Sequence, residues 1–261
     1  TLVIADSYSG STEETISAYE DAKKRGAKIF VIATGEELSE LARNDKVPSF
    51  IIKPLYNPSN QPRMGLGYAT GSIAEILSRL EIIDLKKEGV GKACAFVKNF
   101  SRTLTYNQKN SNAIKAAEII YGKIPVLIGS DHLLGSIHTT KNQINENAKT
   151  FSTLFAIPEL NHHLIEGLKF PESNPANLAF LFYESELYLP RIQKRFKLTK
   201  ELAEKSGIKT YTYKVQGENK LEQALEVVQF GAFVGFYLAM LNGVDPAPIP
   251  TVDWFKVEME K

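Results

Sequence analysis

Apolar, β-branched runs alternate with helix-patterned segments along most of this 261-residue chain, and that alternation limits the fold more than any other feature. Leu2–Ala5 precedes a helix over Glu13–Arg25. Lys28–Ala33 (KIFVIA) precedes a helix over Glu36–Arg43, and Ser49–Lys53 (SFIIK) is a third strand. Continuous apolar runs of about 4–8 residues between helices indicate strands buried on both faces, as in a parallel sheet, and crossovers of this kind are right-handed. Leu55–Arg63 is a loop rich in Pro and Asn, followed by a helix over Gly65–Leu80. Asp84–Lys123 is mostly helical and charged. The alternation then restarts with strands at Ile124–Ile128, Ala176–Phe182 and Ile208–Val215, and helices run to about Lys149 and over Leu189–Ser206. The expectation is an α/β protein with two tandem βα arrays, each a mainly parallel sheet between helices. The first domain covers 1–88, a helical connection 89–115, the second domain 116–244, and a tail with a short amphipathic helix 245–261.

Leu221–Leu241 is long and apolar, with Gly231 and Gly235 four apart. It reads equally as a dimer helix and as an ordinary core helix. No stretch approaches 18 consecutive apolar residues, so no membrane span is expected. With 31 basic and 30 acidic residues the net charge is +1, which gives no electrostatic footprint for nucleic acid or an anionic membrane. An anionic substrate must then be held by local groups. The single cysteine, Cys94, rules out an internal disulfide, fits a reducing compartment and favours a cytoplasmic location.

One turn carries a specific chemical signal. Ser7-Tyr8-Ser9-Gly10-Ser11-Thr12-Glu13-Glu14-Thr15 joins a strand to a helix. Unpaired N–H groups and the positive end of the helix dipole point into such a turn. Short hydroxyls add donors, and Gly10 lets the backbone approach a dianionic phosphate. The competing reading is a capping box, with Ser11 as cap and Glu14 three residues on. That would leave Ser7, Ser9 and Gly10 unexplained.

Other segments carry chemistry more ambiguously. In Lys141–Lys149 (KNQINENAK), Glu146 is a carboxylate flanked by amides and a lysine, suited to proton abstraction beside a carbonyl; a solvated helix face is the plain alternative. Pro158–His163 (PELNHH) offers an acid–base histidine or a surface one, and too few further ligands for zinc. Arg63 could hold an oxyanion with a cation that never deprotonates. Gly65-Leu66-Gly67 does not continue as a dinucleotide fingerprint.

Taken together, SYSGSTEET, PRMGLGYATGS (62–72), QINENAK (143–149), PELNH (158–162) and GVDPAPIPTVDWFK (243–256) resemble the bifunctional phosphoglucose/phosphomannose isomerases of the sugar isomerase (SIS) superfamily. The first motif marks only the superfamily; QINENAK with PELNH and the GVDP tail in this order is far more specific. The resemblance implies two tandem SIS domains and an aldose–ketose isomerase acting on glucose 6-phosphate and mannose 6-phosphate through a cis-enediol. It implies phosphate-binding hydroxyls at Ser7, Ser9 and Thr12, an enediolate-stabilising Arg63, a base at Glu146 and a lysine near the ring oxygen at Lys256. The ring-opening histidine would be His162, supplied to the neighbouring subunit of a homodimer. Neither a metal nor an organic cofactor is implied. The alternative is a sugar-phosphate-binding SIS protein without turnover. Two departures stand out. The family's first βα unit, with a Gly- and Ser-rich loop, is expected upstream of Thr1, and His163 stands where the family commonly has Asn.

Overall fold

The computed structural model describes residues 1–108, 110–259 and 261. The chain divides into two compact units, Thr1–Val90 and Gly91–Lys261.

In the first unit, β1 (Leu2–Ser7), β2 (Lys28–Ala33) and β3 (Ser49–Ile51) form a parallel sheet in the order β1-β2-β3. Leu2 pairs with Lys28 and Ser7 with Ala33. α1 (Glu13–Lys24) and α2 (Glu36–Asn44) supply the two crossovers. Their apolar residues Tyr19, Ala22, Leu38 and Ala42 bury one sheet face together with Ala5, Val31 and Ala33. Period-2 alternation puts Ser7 on that same face, where it is buried. After the loop come a 3-10 turn, Pro62–Met64, and α3 (Leu66–Arg79).

The second unit includes most of α4 (Lys87–Thr103) and all of α5 (Asn112–Ile120). Its sheet runs β5-β4-β6-β7, all parallel, from β4 (Ile124–Gly129), β5 (Thr153–Ala156), β6 (Leu178–Glu184) and β7 (Lys209–Lys214). β4 and β6 lie centrally and are buried nearly throughout, as their unbroken apolar runs require. The connecting helices are α6 (Leu134–Ala148), a short α7 (Asn174–Asn177), α8 (Pro190–Lys205) and α9 (Lys220–Leu241); α10 (Pro250–Met259) ends the chain. Phe182 of β6 meets Phe196 of α8, while its neighbour Tyr183 meets Phe230 of α9, so the two helices take opposite sheet faces.

α9 is a core helix. Val227, Phe230, Val234 and Leu238 are fully buried. Its length and hydropathy would also suit a membrane span, but its buried face packs on α6 and α5. A methyl group on Gly231 would sit 2.2 Å from the Thr140 hydroxyl, and one on Gly235 would sit 3.4 Å from the Gln143 carbonyl. The two glycines therefore serve close approach to α6 in the same chain, and the spacing needs no dimer to explain it. That packing fixes the helix on which Glu146 stands. At its other end α9 is held by Glu226, which is fully buried. Its carboxylate accepts from Tyr213 Oη (2.5 Å), Gln216 N–H (2.9 Å) and Gly217 N–H (2.8 Å). Burial pushes this carboxyl's pKa up and those donors oppose the rise.

Candidate functional site

The hydroxyl-rich turn is built as a tight cradle at the carboxyl end of β1. Ser7 Oγ lies 2.8 Å from Thr12 Oγ1 and accepts from Gly10 N–H at 3.1 Å. Ser9 Oγ accepts from the Ser11 N–H at 3.3 Å and lies 3.2 Å from Ser11 Oγ. α1 begins at Glu13 with Thr12 at the cap position. No side chain caps the helix, so the capping box that was the competing reading of Ser11 and Glu14 does not form. The hydroxyl at the cap position bonds Ser7 instead of an N–H of the first turn. The helix N-terminus is thus left facing the cradle with its donors unspent on caps.

Gly10 sets the cradle's shape. Its φ is +90°, and a methyl group there would sit 2.0 Å from the Gly35 carbonyl oxygen. The Gly10 carbonyl accepts from Leu38 N–H (2.9 Å), and the Tyr8 carbonyl accepts from Thr34 N–H (2.9 Å), so the turn is clamped to the β2–α2 connection. Alanine in a left-handed conformation costs about 1–2 kcal/mol, and here the backbone must also move. Gly10→Ala is expected to weaken inorganic phosphate binding about tenfold, which is roughly 1.4 kcal/mol, and to lower Tm. Calorimetric titration checks it; unchanged affinity would remove the cradle's role.

Asp6 lies next to this turn. One of its carboxylate oxygens is buried without a hydrogen-bond partner, and burial pushes the carboxyl's pKa up.

Arg63 belongs to the same unit. It is buried, and its Nη1 donates to Gln61 Oε1 at 2.9 Å. The turn that carries it touches the cradle through Tyr8. A methyl group on Gly65 would sit 2.3 Å from Tyr8 Cε2, so the ring lies flush on that glycine. The Tyr8 hydroxyl accepts from Asn57 Nδ2 at 2.7 Å, and the same amide donates to the Gln61 carbonyl at 2.9 Å. The structure therefore brings Ser7, Ser9, Thr12 and the Arg63 turn into one connected assembly. Tyr8, Asn57 and Gln61 had not been singled out in the sequence. The only hint was the density of Asn, Ser and Gln in the 57–61 loop.

Glu146 stands near the end of α6, half-buried, on a cavity of about 450 Å³. Asn145, residues 149–151 and residues 249–252, where α10 begins, line the rest. Lys149 ends α6 in the left-handed region (φ +53°). Its Nζ donates to the backbone carbonyls of Glu146 (2.5 Å) and Pro248 (2.7 Å), which ties the proline-rich strap to α6. α10 carries Lys256, and none of its described residues is buried; Lys256 is exposed.

His162 is not among the residues lining that cavity. It ends a 3-10 turn, Glu159–His162, which is anchored by its two middle residues. Leu160 is fully buried, and Asn161 bonds Thr199 Oγ1 (2.7 Å) and Arg195 Nη1 (3.3 Å). His162 itself is exposed. His163 is engaged elsewhere, with Nε2 at 2.6 Å from Glu159 Oε1.

Comparison with known proteins bears on this arrangement. Residues 109–259 match the family described as bacterial phospho-glucose isomerase C-terminal SIS domain. A bifunctional phosphoglucose/phosphomannose isomerase of Caldicellulosiruptor bescii is 32% identical over 98% of this chain and 75% of its own length. Another of that name, from Aquifex aeolicus, is 29% identical over 100% of this chain and 76% of its own. Among solved structures, a hypothetical protein of Thermus thermophilus superposes on 100% of this chain and 71% of its own, with a TM-score of 0.75 at 15% identity.

Proposed function

The chain belongs to the bacterial phospho-glucose isomerase C-terminal SIS domain family, and from that premise we propose that it is an aldose–ketose isomerase. It interconverts glucose 6-phosphate, and mannose 6-phosphate, with fructose 6-phosphate. Its two units are tandem SIS domains, and the working protein is a homodimer. The name shared by relatives that align along nearly the whole chain favours turnover over a binding role without catalysis.

The observation that carries the reading at residue level is the uncapped α1 terminus behind a cradle of three hydroxyls, tied to a buried arginine. Ser7, Ser9 and Thr12 hold the phosphate, which is remote from the reacting carbons, so its binding energy can position them. His162 of the neighbouring subunit opens the sugar ring, with Lys256 near the ring oxygen. Glu146 takes the proton from C2 of the open aldose and returns it to C1. One base suffices because the proton is returned to the adjacent carbon. The intervening cis-enediolate carries negative charge on oxygen, and Arg63 holds a fixed positive charge toward it. Every step is served by side chains.

The experiment that tests this reading compares turnover of glucose 6-phosphate, mannose 6-phosphate and glucosamine 6-phosphate by the full protein. Formation of fructose 6-phosphate from the first two and no turnover of the third is expected. Saturable binding without turnover of any would leave the non-catalytic alternative. Turnover of the amino sugar alone would move the chain to another SIS reaction.

A further inference from the structure

The proposed reaction needs two things held at a fixed separation: a phosphate seat and a cation for the enediolate. In the first unit these sit on different segments. The seat follows β1, and Arg63 lies on a 3-10 turn more than fifty residues later. Three contacts join them. The Tyr8 ring lies on Gly65, the Tyr8 hydroxyl is bonded to Asn57, and Asn57 is bonded to the Gln61 carbonyl. A fourth contact reaches the cation, from Gln61 Oε1 to Arg63 Nη1. Asn57 and Arg63 are both buried, at 4% and 7% exposure, so either one that loses its partner is left poorly solvated. Tyr8 stands between two of the phosphate-binding serines, and its carbonyl is pinned by Thr34 N–H. One residue is thus fixed to the β2–α2 connection by its backbone and to the arginine turn by its side chain.

We infer that Tyr8, Asn57 and Gln61 form a positioning tie that sets Arg63 relative to the bound phosphate. The inference rests on the assignment of Arg63 to the enediolate. None of the three touches the reacting atoms; they act through Arg63. An ångström of misplacement at a reacting centre can cost about 10²-fold in rate. Loss of one link in a tie that keeps its remaining contacts should cost less.

Two conservative variants isolate the tie. Tyr8→Phe keeps the ring on Gly65 and removes the hydroxyl that receives Asn57. Gln61→Met keeps the backbone carbonyl bonded to Asn57 and removes the oxygen that accepts from Arg63 Nη1. Steady-state kinetics with fructose 6-phosphate, with inorganic phosphate as competitive inhibitor, provide the readout. Each variant is expected to lower kcat about tenfold, with KM and the phosphate inhibition constant within about twofold of the parent. The double variant is expected to lose less than the product of the two single losses, because both cut one chain of contacts. A fall in Tm with parental kcat in either variant would show packing alone and overturn the tie. An increase confined to KM and to the phosphate constant would overturn it too, since the seat and not the arginine would have moved. Arg63→Met, expected to cost about 10²–10³ in kcat, separates the layers. If it keeps the parental kcat, the assignment of Arg63 falls and the tie falls with it. If it is disabled while Tyr8→Phe and Gln61→Met are not, the tie alone fails.

Discussion

Glu146→Gln is expected to lower kcat about 10³-fold and to leave KM within a few-fold of the parent. The substitution removes basicity and keeps the side chain's shape. It also keeps the backbone carbonyl of residue 146 to which Lys149 donates. α6 is positioned through Thr140 and Gln143 by Gly231 and Gly235 of α9, which the change does not touch. A loss of kcat is therefore a loss of chemistry, not of fold. A second readout follows from the enediol path. In deuterated water the parent should incorporate solvent deuterium into the sugar at the carbons that exchange the proton, and the variant should not. Near-parental turnover in Glu146→Gln would remove the base from the mechanism, whatever its place on the cavity.

The parallel α/β layering was legible in the sequence because each central strand is a continuous apolar run between helical periods. KIFVIA is strand over the same residues that its composition marks. β5 was not legible. Thr153–Ala156 is four residues long, only half-buried, and lies at the sheet edge, so it carries neither the long run nor the alternation that identifies a strand. Its existence depends on the register offered by β4. The strand expected at Ala176–Phe182 lies two residues later, because Asn174–Asn177 closes as a helical turn first. The capping box at Ser11 and Glu14 illustrates a different limit. The local pattern was correct for a cap, but Thr12 takes the cap position and turns its hydroxyl to Ser7. The turn's hydroxyls could be picked out from residue types alone. The tie through Tyr8 could not, since it joins positions 8 and 57, and a contact of that span leaves no periodic trace.

The arrangement of the PELNH turn yields the second large effect. Leu160 and Asn161 anchor the turn into its own unit, and His162 is presented outward from it. A histidine held rigidly but facing away from its chain's interior suits a site completed by another copy. In a two-fold symmetric dimer such donation is reciprocal, so each site draws its base from one subunit and its histidine from the other. Two variants that each lack one group can then restore each other. Glu146→Gln and His162→Ala, produced separately, are each expected to retain at most about 1% of parental turnover, since each lacks one acid–base group. Coexpressed in equal amounts, random pairing makes half the dimers mixed. In a mixed dimer, one site contains both lesions and the other contains neither. About one quarter of the parental activity should therefore return, a rise of more than roughly twentyfold over either parent variant. Mass measurement of the intact dimers establishes that the mixed species is present. If mixed dimers form and activity stays at the level of the single variants, His162 serves the site of its own chain, and the exchange of residues between subunits is wrong. Recovery near one quarter with native glucose 6-phosphate would also tie the histidine to the same reaction as Glu146, because only a site with both groups intact can account for it.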